Sequence, residues 1–309
     1  MTTPDHKHLL ANLPAETRKN LLVQSDTPGL VHFAFHFGAV LLGATLILSE
    51  VPGWQFLLPL QGIFIGFLFT PLHETIHRTA FRTEGLNTFV AAVCGFAVLI
   101  APNWFRYFHF AHHRFTHEPG RDPELEAGKP ESLGAYLLYV SGGPVWLGNV
   151  KVVVTNALGR RDDPYVPARA RAKVVREARL FLAAYAVVIL GSVAAQSSAL
   201  IWVWLVPALL GQPFMRLYLL AEHTRCPHVA NMLENTRTTF TTRFVRFIAW
   251  NMPYHIEHHT YPAVPFHKLP AFHQVMRDHL GCTQDGYGRY HKDYVEALAA
   301  GTLNLKDPA

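Results

Sequence analysis

The stretch NMPYHIEHHTYPAVPFHKLP, residues 251–270, carries three histidines within five positions: His255, His258 and His259. Residues three and four apart share one face of a helix, so the three imidazoles can approach a common site. Pro262 follows shortly afterwards, and a proline ends a helix because it lacks a backbone N–H. The stretch therefore predicts a short helix that presents a cluster of metal ligands.

Two more histidine clusters occur earlier in the chain. HETIH supplies His73 and His77, four residues apart, and HFAHH supplies His109, His112 and His113. Neutral imidazole is a ligand for iron, zinc, copper or nickel. The three cysteines lack metal-type spacing, and we expect them to be reduced or buried thiols. The three clusters hold eight imidazoles, more than one tetrahedral zinc ion uses, so the sequence predicts two metal ions.

The composition indicates a membrane protein. Of the 309 residues, 50% are hydrophobic and 16% are charged, below the roughly 25% charged residues of a soluble domain. A helix needs about 20 apolar residues to cross the hydrocarbon core of a bilayer. The net charge of +5 is not gathered in a dense basic block, so we expect no nucleic-acid partner. Four apolar runs are predicted to span the membrane, at residues 31–49, 55–72, 178–196 and 199–221.

The connections between these runs predict how the spans are arranged. Short links join the first span to the second and the third to the fourth, which indicates two hairpins. Lysine and arginine occur before the first span, between the hairpins and after the last span, which places these segments in the cytoplasm. We therefore predict an all-α integral membrane protein, most simply in a bacterial inner membrane, with both termini cytoplasmic. It would be a single domain, residues 1–309, whose segments 1–30, 73–177 and 222–309 form a helical cap that carries the histidines.

Two further apolar runs are expected to lie at the membrane surface or to re-enter it. The run at residues 86–102 is short for a span and contains Asn87. YLLYVSGGPVWLGNVKVVV, residues 136–154, is interrupted by two glycines and a proline. Neither run is counted among the four predicted spans.

A ninth candidate ligand, His223, lies in LAEHT at the predicted cytoplasmic end of the fourth span. An ionisable residue at the end of a span is by itself more often an interfacial residue than a ligand. The argument for His223 therefore depends on the histidine clusters that are predicted to lie on the same side.

The order of these histidines resembles that of the membrane fatty acid desaturase and hydroxylase superfamily. That order is HxxxH, HxxHH, a lone histidine after the fourth span, and HxxHH, and the resemblance extends over about residues 31–273. YHIEHHTYPAVP is similar to the YHxEHHxxPxxP form of lipid and sphingolipid desaturases. AEHT resembles the glutamate-histidine pair of sphingolipid desaturases and alkane monooxygenases, and departs from the NSxxH of acyl-CoA desaturases.

The resemblance implies a non-haem di-iron centre that uses O2 to attack an unactivated C–H bond of a lipid acyl chain. We therefore predict a fatty acid desaturase, with two iron ions as cofactor. The alternative on the same scaffold is a hydroxylase of a lipid, an alkane or a carotenoid. The residues expected to bind metal and to be catalytic are His73, His77, His109, His112, His113, His223, His255, His258 and His259.

Two interpretations of other classes remain open at this stage. A zinc membrane metalloprotease would use His73 and His77 as ligands and Glu74 as the general base, but it leaves both HxxHH clusters without a role. A haem or metal carrier would be expected to hold its ligands deep within facing spans. Metal analysis distinguishes two irons, one zinc and a haem.

Side chains near the histidines have predicted supporting roles. A metal-bound histidine usually donates its second N–H to a carboxylate or a carbonyl. The candidate carboxylates are Glu74, Asp122, Glu222 and Glu257, for each of which an ordinary surface position is the alternative. The aromatic residues that could line a tunnel for the lipid, or simply pack in the core, are Phe105, Phe108, Phe244 and Trp250.

We also expect a separate electron donor, such as a ferredoxin, a rubredoxin or a cytochrome b5-like protein. The chain has no cysteine cluster for iron and sulfur and no glycine-rich dinucleotide motif. A basic cytoplasmic face would attract an acidic carrier. The candidate residues on that face are Arg106, Arg114, Arg121, Lys151, Arg160, Arg161, Arg243 and Arg246.

Overall fold

The computed structural model describes residues 5–305, so residues 1–4 and 306–309 of the predicted domain lie outside the described residues. Helices account for most of this part of the chain. They are, in order, α1 (His6–Ala11), α2 (Ala15–Leu21), α3 (Asp26–Leu48), α4 (Leu57–Phe67), α5 (Phe69–His77), α6 (Glu84–Ala97), α7 (Pro102–Phe115), α8 (Leu133–Ser141), α9 (Gly143–Ala157), α10 (Ala168–Ala194), α11 (Val206–His223), α12 (Met232–Asn235), α13 (Arg243–Ile248), α14 (His255–Thr260), α15 (Leu269–Met276) and α16 (Tyr287–Ala300).

Shorter elements complete the fold. Strands β1 (Thr238–Phe240) and β2 (Thr283–Asp285) pair in parallel, with Thr238 opposite Thr283. A π-helix, Ile201–Leu205, leads directly into α11. The 3₁₀-helices are Trp54–Phe56, Leu125–Ala127, Phe266–Lys268 and Arg277–His279.

Within the described residues, four helical stretches are long and apolar enough to cross a membrane. They are Ala15–Leu48, Trp54–His77, Ala168–Ala194 and Ile201–His223. The four predicted spans are confirmed as apolar helices, but α3 and α10 begin well before the predicted starts at residues 31 and 178. The early turns of α10 are rich in alanine, arginine and lysine. These residues favour a helix strongly, so the helix extends beyond its apolar part.

The two additional apolar runs form bent helix pairs. Helices α6 and α7 meet at 95°, and α8 and α9 meet at 53°, so the chain has up to six spans if each bent pair counts as one. Gly142 separates α8 from α9 and adopts a φ of 72°, a left-handed conformation that glycine enters without steric cost. The predicted interruption of this run is confirmed.

A close crossing of α4 and α11 holds the centre of the molecule together. A Cβ atom added to Gly211 would lie 1.9 Å from the carbonyl oxygen of Gly62, and one added to Gly62 would lie 2.0 Å from that of Pro207. Small residues allow two helix backbones to approach this closely. Gln61 of α4 links this crossing to its neighbours, since its Nε2 donates to the carbonyl oxygens of Val40 in α3 at 3.1 Å and of Val203 in the π-helix at 3.2 Å.

Buried Arg237 fixes the far end of α11. Its Nη1 atom donates to the carbonyl oxygens of Ala221 at 2.6 Å and Thr224 at 2.7 Å. These contacts satisfy carbonyl groups that the last turn of a helix leaves without a partner. Arg237 therefore holds in place the turn of α11 that carries His223.

The cysteines are buried and free, as predicted for all three. Cys94 lies in α6, whereas the Sγ atoms of Cys226 and Cys282 lie 2.8 Å apart. None of them approaches the histidines closely enough to join a metal-binding group within the described residues.

Candidate metal centre

Each predicted histidine box lies on a helix. HETIH ends α5, HFAHH lies in the second half of α7, and HIEHH begins α14. The helix that carries the third box ends at Thr260, before Pro262, as the sequence predicts. His223 is the last residue of α11, so four helices bring all nine predicted residues together.

Five of the histidines form a first cluster. Each offers one ring nitrogen, and the five nitrogens all lie within 4.8 Å of one another. The Nε2 atoms of His109 and His113 are 2.8 Å apart. The members of the first cluster are His73, His77, His109, His113 and His258.

The remaining four histidines form a second cluster. Nitrogens of His112, His223 and His259 lie within 4.8 Å of one another. The Nε2 atom of His223 is 3.1 Å from that of His112 and 3.0 Å from that of His255, which brings His255 into the cluster. His223, the one predicted residue outside a box, thus contacts rings from two different boxes.

Several ring nitrogens of the clustered histidines lack a hydrogen-bond partner, which suits metal binding. Both ring nitrogens of His73 and of His258 are buried and have no hydrogen-bond partner, and the same holds for Nε2 of His77 and of His259. Leaving a buried polar nitrogen without a partner costs about 1–3 kcal/mol. A metal ion would satisfy these nitrogens, and clusters made of imidazoles suit iron or zinc.

The protonation state of α14 also suits metal binding. Burial, and then the neighbouring histidines, lower the pKa values of His255, His258 and His259 well below the ordinary value. The rings are therefore neutral at physiological pH, which is the form of histidine that binds a metal.

Three of the four predicted carboxylates lie beside a clustered histidine. Asp122 Oδ1 is 2.9 Å from Nδ1 of His112, a hydrogen bond that leaves Nε2 for the second cluster. Glu222 Oε1 is 3.6 Å from Nδ1 of His255. Glu74 Oε1 is 3.7 Å from Nδ1 of His258.

The fourth carboxylate, Glu257, supports a different residue. Its Oε1 lies 2.5 Å from Nδ1 of His273, and its Oε2 accepts a hydrogen bond from Thr238 at 2.5 Å. The alternative of an ordinary surface position is also wrong for Glu257, because its side chain is fully buried. Its carboxylate links α14 to β1 and α15, and so helps to position the helix that carries the third box.

A charged pair that was not predicted from the sequence lies next to the second cluster. Glu124 Oε2 lies 3.5 Å from Nε2 of His112, and Glu124 Oε1 lies 3.2 Å from Nζ of Lys129. Burial raises the pKa of Glu124, but His112 and Lys129 outweigh this effect and lower it to about 2. The only signal in the sequence was the position of Glu124 in RDPE, just after the second box.

A cavity of about 460 Å³ connects the two clusters. His73 and His109 of the first cluster line it, as do His112 and His255 of the second. Among its aromatic lining residues are Phe69, Trp104, Phe105, Phe108 and Tyr218. A volume of this size lies within the range of about 300–1,000 Å³ that is usual for small-molecule sites.

Two of the four aromatic residues expected in a tunnel are therefore placed correctly. Phe105 and Phe108 line the cavity. Phe244 does not line it and is 56% exposed, and Trp250 packs in the core against Phe266 and is not solvent-exposed. The alternative of core packing holds for Trp250, whose ring also contacts His32 of α3 and Phe81.

A comparison with protein families identifies the scaffold. The family model described as fatty acid desaturase matches residues 52–292, which include all nine histidines. The chain belongs to the fatty acid desaturase family. A search of curated proteins found no match to this chain. Membership of the fatty acid desaturase family indicates a membrane oxidoreductase of the desaturase or hydroxylase type, and it favours this class over the zinc protease.

Proposed function

We propose that the protein is a membrane-bound di-iron oxidase that introduces a double bond into a lipid acyl chain. One observation carries the proposal: a mainly apolar cavity, with Phe105 and Phe108 in its wall, is lined by histidines of both clusters. A substrate chain in this cavity would lie next to both metal positions. In the reaction, two neighbouring carbons each lose one hydrogen and form a C=C bond. The two hydrogens removed from the substrate, together with O2, two electrons and two protons, become two water molecules.

The two clusters offer a ligand set for two iron ions. The five histidines of the first cluster would hold one ion, and His112, His223, His255 and His259 would hold the other. Bound iron would supply the oxidising power that an unactivated C–H bond requires. Imidazole ligands are suited to this chemistry because they resist oxidation, whereas thiolates are oxidised readily.

The side chains around the clusters would position the ligands and the substrate. Asp122 holds the ring of His112 in one orientation, which is the usual role of a carboxylate behind a metal ligand. Phe105 and Phe108 offer apolar surface to the acyl chain and exclude water from the reacting carbons. The same positions would serve a hydroxylase, in which oxygen is added to the carbon and no second hydrogen is removed.

We further propose the arrangement in the membrane. The spans would form two hairpins, and the histidine helices would lie in a cap on the cytoplasmic side with both termini. A separate carrier would deliver electrons there. Support for its docking position comes from a second cavity, about 550 Å³, which is lined by His77, His113 and His259 together with exposed Arg114.

Metal analysis together with product analysis tests the proposal. Protein from iron-replete cells should contain two irons per chain, and lipids from cells that express it should gain a double bond by mass spectrometry. An added hydroxyl group would select the hydroxylase alternative. Activity restored to metal-free protein by zinc alone would refute the di-iron oxidase.

A further inference from the structure

One positively charged side chain of the cavity forms no salt bridge within the described residues. Of the lining residues, which all belong to the described part of the chain, Lys129, Arg161 and Arg216 carry a positive charge. Lys129 Nζ is 3.2 Å from Glu124, and Arg161 Nε is 2.5 Å from Asp163. Arg216 has no carboxylate oxygen within 4.0 Å among residues 5–305, and its buried Nε atom has no hydrogen-bond partner.

The lack of a salt bridge is unusual because of where Arg216 lies. Arg216 lies on α11, inside the candidate membrane span Ile201–His223. An arginine within a span is energetically costly unless it is paired, and such residues usually mark a binding site or a transport pathway. Glu222, the acidic residue of the same helix, lines the same cavity and interacts electrostatically with Arg216, but no carboxylate oxygen of Glu222 lies within 4.0 Å of the guanidinium.

One face of the Arg216 guanidinium is already occupied. Its Cζ atom lies over the ring of Tyr139, 5.5 Å from the ring centroid, and Tyr139 also lines the cavity. A guanidinium that stacks on an aromatic ring keeps the N–H groups at its edge for hydrogen bonds. These groups match the paired oxygens of a carboxylate or a phosphate, which arginine binds through two parallel hydrogen bonds.

We propose that Arg216 binds an anionic head group of the lipid substrate, a carboxylate or a phosphate, within the cavity. This inference rests on the proposed function and specifies the substrate class as an acidic lipid. Arg216 precedes His223 by nearly two helical turns, on the order of 10 Å along α11. One acyl chain covers that distance, so its head group could contact Arg216 while its carbon chain passes the histidines.

A binding experiment with the iron-loaded protein tests the assignment. The protein is placed in bilayer discs of zwitterionic lipid, and the binding of three labelled probes is measured: palmitate, hexadecyl phosphate and methyl palmitate. Arg216→Gln should weaken the binding of palmitate or hexadecyl phosphate by about 10- to 100-fold, the usual effect of a hydrogen bond to a charged group. The binding of methyl palmitate, which lacks the charge, should not change.

Two further variants make the result specific. Arg216→Lys retains the positive charge but cannot donate two parallel hydrogen bonds. It should therefore bind the acidic probes more tightly than Arg216→Gln and less tightly than the parent protein. Arg176→Gln is the matched control, because Arg176 is exposed on α10 and does not line the cavity. The probe that loses more affinity in Arg216→Gln identifies the head group as a carboxylate or a phosphate.

The outcomes separate this inference from the proposed function. Equal affinity of the parent protein for palmitate and methyl palmitate would overturn the inference, as would equal losses in Arg216→Gln and Arg176→Gln. Oxidation of lipids is measured separately on the same preparations. If the parent protein discriminates between the acid and the ester through Arg216 but oxidises no lipid, the binding site stands and the oxidase function fails.

Discussion

Gly211→Ala tests whether the crossing of α4 and α11 positions the histidines. Helix α4 leads into α5, which carries His73, and α11 ends at His223. The crossing therefore sets the separation between a residue of the first cluster and a residue of the second. Gly211 itself contacts neither ring, so a functional effect of this substitution would act through the backbone.

The size of the perturbation follows from the geometry. A Cβ atom at position 211 would lie 1.9 Å from the carbonyl oxygen of Gly62, about 1.5 Å closer than the 3.4 Å at which ordinary contact begins. Both contacting groups are backbone, so the helices must move apart. Overpacking of this kind costs about 1–3 kcal/mol of stability. A 1 Å displacement at a catalytic site can reduce the rate by about 100-fold.

We therefore expect Gly211→Ala to lose activity by about 100-fold and to unfold at a lower temperature than the parent. Turnover in bilayer discs and thermal unfolding followed by fluorescence are the measurements. Gly191→Ala is the matched control, because Gly191 lies within α10 and an added Cβ would meet no atom within 4 Å. If Gly211→Ala kept the activity and unfolding temperature of Gly191→Ala, the close crossing and its role in positioning the clusters would be wrong.

Three other substitutions test the metal ligands and the donor surface. His223→Ala should lower the iron content from two ions per chain toward one, whereas His228→Ala should not; equal loss in both would contradict the ligand assignment. His258→Ala should abolish turnover but leave the spans inserted, because insertion depends on apolar surface and backbone hydrogen bonds; retained turnover would count against the first cluster. Arg114→Glu should slow donor-dependent turnover at low salt and much less at high salt, unlike Lys292→Glu on α16; turnover with NADH alone would refute a separate donor.

The sequence predicted the helices well because their signals are local. Apolar length revealed the four candidate spans, and spacings of three and four placed each histidine box on one face of a helix. Helices α3 and α10 begin before the predicted spans, because their first, polar turns carry no hydropathy signal. The hairpin arrangement and the cytoplasmic cap stay predictions.

The charged residues of the cavity were beyond the reach of sequence reasoning. Glu124 belongs to an irregular segment between α7 and α8, and no periodic pattern indicates which histidine it meets. In the sequence, Arg216 resembles an ordinary basic residue near the end of a span. Only the structure places it in the wall of the cavity without a salt-bridge partner. Such contacts depend on how α7, α8 and α11 pack against one another, which local spacing does not determine.

The division of the nine histidines between two clusters shows why two boxes of identical spacing are needed. On α7, His109 and His113 join the first cluster and His112 joins the second. On α14 the assignment is the opposite: His258 joins the first cluster, whereas His255 and His259 join the second. Residues four apart share a helix face, and their neighbour one position away points about 100° from it, so each helix faces both clusters.

The separation between the two histidine clusters is therefore built into each helix by adjacent residues. His112 and His113 differ by a single position on α7, as do His258 and His259 on α14, and each pair divides between the clusters. Because α7 and α14 each supply both clusters, a shift of one helix relative to the other would disturb both clusters together. The two clusters must then be assembled as one unit, next to the mainly apolar cavity that both of them line.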